Sequence, residues 1–261
     1  MDLHLKSKRA LVTGASKGIG RAIAEALAAE GCSVDIASRG REGLARAAAE
    51  IVEAVPGADV RIHPVDLSDS AGQMALVDAC RDADILVNNA GAAASGSLDE
   101  TDEAGWRDSW ELKVFGYINL AREFYKAMKA RNDGVIVNVI GVAGERLNSK
   151  YIIGTTGNAA LMAFTRTAGA ESPDFGVRIV GVNPGFTMTD RAENQLRGFS
   201  EKKYGTPDRW RDIERDMNLP FGRMARTDEI ADMVAFLASP RASYMSGSIV
   251  TVDGGTANRN Y

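Results

Sequence analysis

The feature that most constrains this chain is a glycine-rich stretch that follows directly on a short apolar run. Residues 10–12 predict a buried strand, and residues 21–30 have a helical pattern. Between them, glycines stand at positions 14, 18 and 20. A strand, a glycine turn and a helix present backbone N–H groups and a helix N-terminus to a phosphate. The stretch therefore predicts an anion-binding βα turn, although a glycine-rich turn of any α/β protein has the same appearance.

Strand and helix patterns alternate along the rest of the chain. Further strands are predicted at 33–38, 60–65, 85–87, 134–140, 177–182 and 248–252, with helical patterns between them. Because the strand runs are continuously apolar, both faces of the sheet should be covered. The sequence therefore predicts an α/β fold, with one domain over residues 1–261 and a doubly wound parallel sheet of about seven strands with helices on both faces.

The segment 187–224 departs from this alternation. It is polar, has little periodicity and carries three arginines, at 191, 197 and 209, before Trp210. Long insertions after the carboxyl end of a strand are often functional lids or binding loops. We therefore expect a substrate loop here, with Phe186 and Trp210 as apolar contacts for the substrate.

Composition excludes several classes of protein. A net charge of −4 over 261 residues offers no basic field for nucleic acid. No apolar run reaches membrane-spanning length, and the N-terminus lacks the apolar core of a signal peptide. Cys32 and Cys80 are predicted to be reduced and buried, as in a cytoplasmic protein, and no Cys/His spacing predicts a metal site. His4 and His63 are interpreted as structural or surface residues.

Short motifs also follow the predicted strands, and together they resemble the short-chain dehydrogenase/reductase family over essentially the whole chain. They are the turn at 13–20, Asp66-Leu67, Asn88-Asn89-Ala90-Gly91, Pro184-Gly185, Ser246-Gly247 and Val252-Asp253-Gly254-Gly255. The resemblance implies a Rossmann-like fold and an oxidoreductase that transfers a hydride between a nicotinamide and a carbonyl or secondary alcohol. It also implies a small-molecule substrate and a homo-oligomer, a dimer or tetramer, with the helices near 106–130 and 158–170 at the interface.

The same resemblance implies the contacts of the dinucleotide. The glycine turn would hold the pyrophosphate, and contacts to the adenine, the two riboses and the carboxamide follow along the chain. The implied residues are Gly14, Ser16, Lys17, Gly18, Ile19 and Gly20, then Asp66 and Leu67 at the adenine, Asn89, Ala90 and Gly91 at the adenosine ribose, Asn158 at the nicotinamide ribose, and Pro184, Gly185, Thr187 and Thr189 at the carboxamide.

The end of the second strand bears on the choice between NAD and NADP. An acidic residue there would bind the ribose 2′-hydroxyl and repel a 2′-phosphate. The sequence instead has Ser38 followed by Arg39, with Lys17 in the glycine turn, whereas Asp35 lies in mid-strand. A hydroxyl and two cations suit a phosphate, so NADP(H) is favoured over NAD(H). The alternative is that Arg39 and Lys17 are solvated surface charges.

The family's usual active site is absent. Flanking landmarks align Gly141 with the usual serine, Gly154 with the tyrosine, Asn158 with the lysine and Lys113 with the asparagine. A second register, which needs a three-residue insertion, makes Tyr151 the usual tyrosine and still restores no lysine.

Three alternatives remain open for the missing chemistry. In the first, Tyr151 points into the cleft from three residues before Gly154, and the Lys113 ammonium lowers its pKa. The second is a different acid. The third is loss of catalysis, which leaves a dinucleotide-binding or scaffold protein. Tyr151 and Lys113 are therefore the predicted catalytic residues.

Overall fold

The computed structural model describes residues 1–259, so the end of the domain predicted over 1–261 lies outside the described residues. Seven parallel strands form a sheet: β1 (Arg9–Thr13), β2 (Ser33–Ser38), β3 (Val60–Pro64), β4 (Ile85–Asn88), β5 (Gly134–Val139), β6 (Val177–Pro184) and β7 (Ile249–Val252). Their order across the sheet is β3-β2-β1-β4-β5-β6-β7. The order reverses between β1 and β4, where a doubly wound sheet opens a crevice at the carboxyl ends of its strands. The predicted Rossmann-like α/β fold is confirmed.

Helices cover both faces of this sheet. They are α1 (Gly18–Ala29), α2 (Arg41–Ala54), α3 (Ser70–Cys80), α4 (Glu103–Trp110), α5 (Gly116–Arg131), α6 (Ile152–Glu171), α7 (Asp190–Tyr204), α8 (Trp210–Asp216) and α9 (Thr227–Ala238). Consecutive β1 residues enter opposite cores, since Leu11 packs with Phe124 of α5 and Val12 packs with Ile23 of α1. Double-sided burial explains why the strand sequences are continuously apolar. None of the helices in residues 1–259 is both long and apolar enough to cross a bilayer.

The helix predicted over 106–130 is interrupted in the middle. A π-helical turn, Glu111–Phe115, separates α4 from α5. Such a turn inserts an extra residue into the helical repeat and is frequent at functional sites. Lys113 lies in the centre of this turn, so its side-chain direction cannot be read from a regular helical repeat.

The segment 187–224 is more ordered than the sequence predicted, because it contains α7 and α8. The sequence pattern did not identify these two helices because they are polar: the buried residues of α7 are Leu196 and Ser200. Leu196, Leu219 and Met224 form a small core of the segment, and Trp210 packs against it. Trp210 therefore helps to stabilise this segment, and its expected role as a substrate contact stays a prediction.

Candidate active site

A cleft of about 500 Å³ opens where β1, β2 and β4 end. It collects most of the dinucleotide contacts expected from the sequence: Gly14, Ser16, Lys17, Gly18, Ile19, Gly20, Ser38, Arg39, Asp66, Leu67, Asn89, Ala90, Gly91 and Thr189. Asn158, Pro184, Gly185 and Thr187 lie outside its lining. The structure adds residues that sequence reasoning missed, namely Gly40, Val65, Ala92, Leu112, Asp190 and Arg191.

The glycine turn is shaped by close backbone contacts as much as by the space that a ligand needs. Gly14 has φ +66°, and a Cβ there would lie 2.8 Å from the Ala90 Cα. A Cβ at Gly20 would lie 2.5 Å from the Gly14 carbonyl oxygen and would also strike the Asn89 amide. Asn89 in turn donates from Nδ2 to the Thr13 carbonyl at 2.9 Å. Gly14 and Gly20 therefore lock β4 against the turn, which fixes the floor of the cleft.

The N-terminus of α1 faces this cleft without a cap. Lys17 occupies the N-cap position, makes no side-chain capping hydrogen bond, and is followed by no acidic residue in the first turn. The first backbone N–H groups of a helix need an external acceptor when no side chain supplies one. These donors and the positive end of the helix fit a pyrophosphate.

The end of β2 has the properties of a phosphate subsite. The buried Ser38 Oγ has no hydrogen-bond partner in the described residues. Lys17 and Arg39 also line the cleft, and neither forms an ion pair within residues 1–259. A buried hydroxyl without a partner is costly, so an additional acceptor on a ligand would be favourable. Two cations beside such a hydroxyl fit a phosphate on the adenosine ribose.

The competing carboxylate, Asp35, is withdrawn from the cleft. It is 1% exposed, and its oxygens accept hydrogen bonds from Arg9 Nε at 2.7 Å and from His63 Nε2 at 2.7 Å. Burial alone would raise the pKa of Asp35, but these hydrogen bonds lower it to about 2. Asp35 is thus a charged structural residue between β1 and β3, and it is not among the residues that line the cleft.

Asp35, His63 and Cys80 lie close together, with one potential metal-ligand atom from each within 4.8 Å of the others. The Arg9 guanidinium already neutralises the carboxylate, and burial raises the pKa of the Cys80 thiol to about 12. A thiol that stays protonated is a poor metal ligand. Cys32 and Cys80 are both free and buried, as predicted.

Lys113 is directed at the end of β5. Its Nζ donates to the Ile140 carbonyl at 2.8 Å, lies 3.4 Å from the Val139 carbonyl and stands 5.0 Å above the Tyr117 ring. No carboxylate of residues 1–259 pairs with it, and burial lowers the pKa of Lys113 to about 8. A Cβ at Gly91 would lie 2.5 Å from the Lys113 Cδ, so this glycine of the cleft makes room for the lysine.

Gly141 and Asn158, two positions that the sequence aligns with usual active-site residues, lie against each other. A Cβ at Gly141 would lie 3.0 Å from the Asn158 Nδ2, and Gly141 itself has φ +132°. Asn158 is 4% exposed, and its Oδ1 has no hydrogen-bond partner in the described residues. The amide therefore fills space beside position 141 and retains an acceptor for a donor such as a ribose hydroxyl.

Tyr151 occupies the space of the missing side chain at 154. It is the N-cap residue of α6, and a Cβ at Gly154 would lie 2.5 Å from the Tyr151 hydroxyl and closer still to its ring. The phenol therefore lies across Gly154, the position aligned with the usual tyrosine. Its hydroxyl has no hydrogen-bond partner within the described part of the chain, so it remains able to contact a ligand.

The expected lowering of the Tyr151 pKa by Lys113 is not found. Burial raises the pKa of the Tyr151 phenol, and the cation that opposes this rise is Arg191. Arg191 lies in the first turn of α7 and lines the same cleft as the glycine turn. No contact joins Tyr151 to Lys113 directly. Lys113 instead contacts the Val139 and Ile140 carbonyls and the Tyr117 ring, whereas Tyr151 contacts Gly154.

The turn after β6 ends at the N-terminus of α7. Thr189 is the N-cap of α7, and its hydroxyl accepts from the Ala192 N–H at 3.2 Å. The hydroxyl keeps its own proton to donate to a ligand. A Cβ at Gly18 would lie 3.4 Å from the Thr189 Cγ2, so the turn closes over the glycine loop. Thr187 is buried and donates from Oγ1 to the Gly185 carbonyl at 3.1 Å.

Comparisons with known proteins agree with this geometry. The family model described as enoyl-(acyl carrier protein) reductase matches residues 14–257. The chain is 35% identical over 248 residues to galactitol 2-dehydrogenase (L-tagatose-forming) of Cereibacter sphaeroides, covering 94% of this chain and 93% of the relative. It is 32% identical over 261 residues to the 3-oxoacyl-[acyl-carrier-protein] reductase FabG of Escherichia coli K12, and the match covers 97% of this chain and 98% of the relative.

A solved structure shows the same likeness. L-sorbose reductase from Gluconobacter frateurii, in complex with NADPH and L-sorbose, superimposes with a TM-score of 0.93 at 32% identity and with 100% of each chain covered. The matched family model, the identities and the sheet order lead to one assignment. The chain belongs to the short-chain dehydrogenase/reductase family of oxidoreductases.

Proposed function

We propose that this protein is an NADP(H)-dependent oxidoreductase that interconverts a carbonyl compound and a secondary alcohol with a rebuilt active site. The observation that carries the cofactor assignment is the end of β2, where Ser38 Oγ lies with Lys17 and Arg39 and none of the three has a hydrogen-bonding or ion-pair partner among the described side chains. The cradle of the pyrophosphate would be the glycine turn and the uncapped N-terminus of α1. When bound, the nicotinamide supplies or accepts the hydride.

Tyr151 is the proposed proton carrier. Its phenol lies across Gly154, the position that the sequence aligns with the usual tyrosine, and a phenol is protonated at neutral pH, as a donor to a substrate oxygen requires. Lys113 is the proposed electrostatic partner, because an ammonium without a carboxylate stabilises negative charge that develops on that oxygen. Asn158 would hydrogen-bond the nicotinamide ribose through its unpartnered Oδ1. Pro184, Gly185, Thr187 and Thr189 would hold the carboxamide.

The substrate would be a small molecule beneath the segment 187–224. Phe186 is 47% exposed beside that segment and remains available as an apolar contact. Related proteins are named for galactitol and L-sorbose, so we include polyols and ketoses among the candidates. We further propose a single domain, a cytoplasmic location and a homo-oligomer, as dimer or tetramer.

A catalytically silent dinucleotide-binding or scaffold protein is the second candidate. The observation that favours it is the absence of all four usual groups from their aligned positions. It predicts that the cofactor binds but that no carbonyl is turned over.

One set of measurements separates the two candidates. NADPH binding is followed by fluorescence, and NADPH oxidation is then measured against a broad carbonyl panel for wild type, Tyr151→Phe and Lys113→Met, with Lys126→Met as the exposed-lysine control. We expect Tyr151→Phe to lower kcat by at least about 100-fold, as loss of general acid catalysis does, without weakening NADPH binding. Binding without turnover favours the silent protein. If turnover is unchanged in Tyr151→Phe, Tyr151 is not the proton donor.

The cofactor assignment has its own test. Loss of one charge-assisted hydrogen bond costs about 1.5–3 kcal/mol, so Arg39→Ala should raise the Kd of NADPH about 10- to 100-fold. The Kd of NADH should hardly change, and Arg46→Ala, an exposed change on α2, serves as the control. Unchanged NADPH affinity in Arg39→Ala would place the phosphate elsewhere.

A further inference from the structure

Glu145 lies beside the carboxyl ends of β6 and β7, where neutral donors hold its carboxylate. Its Oε1 accepts from Asn183 Nδ2 at 3.0 Å, and its Oε2 accepts from Thr251 Oγ1 at 2.9 Å. Asn183 and Thr251 are paired neighbours in the register of β6 and β7. The side chain of Glu145 is exposed and forms no ion pair in residues 1–259. The carboxylate is thus fixed in direction and lacks a cation.

The same network reaches the rebuilt active site. Asn183 also accepts, through Oδ1, from the Gly141 N–H at 3.4 Å, while Lys113 donates to the preceding carbonyl, that of Ile140. Consecutive Cα atoms are about 3.8 Å apart, so the ammonium and the Glu145 network engage adjacent residues of the same turn. The Glu145 carboxylate is therefore connected through Asn183 to Gly141, the residue aligned with the usual serine, and the Lys113 ammonium binds the carbonyl of the residue before it.

We propose that Glu145 binds hydroxyl groups of the substrate, and that the substrate class is neutral polyhydroxylated carbonyl compounds and the corresponding polyols. This inference rests on the proposed oxidoreductase function. Each carboxylate oxygen accepts one hydrogen bond from the protein and has a second lone pair for a substrate O–H. Two such oxygens in a fixed orientation can accept from two hydroxyls of one substrate molecule, such as those on the two carbons that flank a carbonyl.

The charges on both sides of the turn select against ionic substrates. An anionic substrate would meet the Glu145 carboxylate, and a cationic substrate would meet the Lys113 ammonium, which no carboxylate between residues 1 and 259 screens. Like charges at short range cost free energy, whereas charge-assisted hydrogen bonds to hydroxyls are favourable. A neutral, hydroxyl-rich molecule is the class that both groups accept.

The test compares two substrates of the same size that differ in hydroxyls. Dihydroxyacetone and 3-pentanone each have a central carbonyl, and methyl groups replace both hydroxyls in the second. We expect Glu145→Gln to lower kcat/KM for dihydroxyacetone about tenfold and to leave that for 3-pentanone unchanged. Thr251→Val, which removes one donor that orients Glu145, should have the same selectivity with a smaller effect. Glu201→Gln, an exposed change on α7, is the matched control.

Equal losses on the two ketones, or none on dihydroxyacetone, would overturn the proposal. So would a preference for aminoacetone that Glu145→Gln abolishes, because that result assigns an ammonium site. If no carbonyl is turned over, the oxidoreductase proposal fails, and the Glu145 proposal is then tested by ligand binding. Calorimetric titration of the NADP⁺-loaded protein with sorbitol then supports it if Glu145→Gln weakens sorbitol at least tenfold, and overturns it if binding is absent or unaffected.

Discussion

The placement of the Tyr151 ring over Gly154 makes a substitution at residue 154 a sensitive probe. A Cβ at this position would lie 2.5 Å from the Tyr151 hydroxyl and nearer to its ring atoms. Gly154→Ala must therefore displace the phenol or strain the first turn of α6. Gly198→Ala is the matched control, since Gly198 is also helical and a Cβ there would meet nothing within 4 Å.

The magnitude follows from two opposing effects. Replacing glycine by alanine inside a helix stabilises a protein by about 0.5–1 kcal/mol, and this is the whole expectation for Gly198→Ala. At Gly154 the same gain is offset by overpacking, which costs about 1–3 kcal/mol. Gly154→Ala should therefore be less stable than Gly198→Ala by about 1–3 kcal/mol. The difference should disappear in a Tyr151→Ala background, where the ring is gone.

Urea denaturation of the two single variants, Tyr151→Ala and the double variants measures this coupling without any knowledge of the substrate. A coupling free energy of about 1–3 kcal/mol between positions 151 and 154 is expected. Additive effects would refute the reasoning, because they would show that the phenol does not occupy the space above Gly154. The proposed proton carrier would then lie elsewhere.

Three further predictions concern charge. Lys113 has its pKa lowered by burial from 10.5 to about 8, so the unfolded chain binds more protons between these values and wild type gains stability as pH rises through them. Compared with wild type at the same pH, Lys113→Met should therefore gain up to about 3 kcal/mol of unfolding free energy at pH 7 and lose this gain toward pH 10. Urea denaturation at each pH measures the difference, and the exposed control Lys126→Met should show no such trend. Ser38→Asp should repel a 2′-phosphate and accept from a 2′-hydroxyl, which fluorescence titration would detect as weaker NADPH and stronger NADH binding. Asp35→Asn leaves Arg9 without its buried partner and should cost about 3–5 kcal/mol at pH 7. Because the pKa of Asp35 is lowered from 3.8 to about 2, this deficit should shrink as pH falls through that window.

The sequence predicted the sheet and the glycine turn because each depends on local signals. Strand composition identified β1 to β7, and the glycine spacing identified the turn before α1. Local signals failed where tertiary packing decides. The π-helical turn redirects Lys113 to the end of β5, and α7 is too polar for its pattern to stand out.

The electrostatics of the site were also beyond sequence reasoning. The approach of Arg191 to Tyr151 depends on how α7 lies over the cleft, and burial rather than a neighbouring charge dominates the pKa of the phenol. Glu145 carried no motif, and its importance emerged from the pairing of Asn183 with Thr251 across two strands that are distant in sequence. The signal available in the sequence was an acidic residue four positions after Gly141, the residue aligned with the usual serine.

The crowding between Gly141 and Asn158 restricts how this site can be redesigned. A serine installed at 141 would push its Cβ against the Asn158 amide, and a tyrosine installed at 154 would compete with Tyr151 for one volume. Introducing the usual family residues one at a time therefore gives intermediates that are more crowded, and so less stable, than either the present protein or a variant with the complete family set. Gain of the familiar chemistry would require exchanging these residues as a set, so single reversions are a poor measure of what the present arrangement achieves.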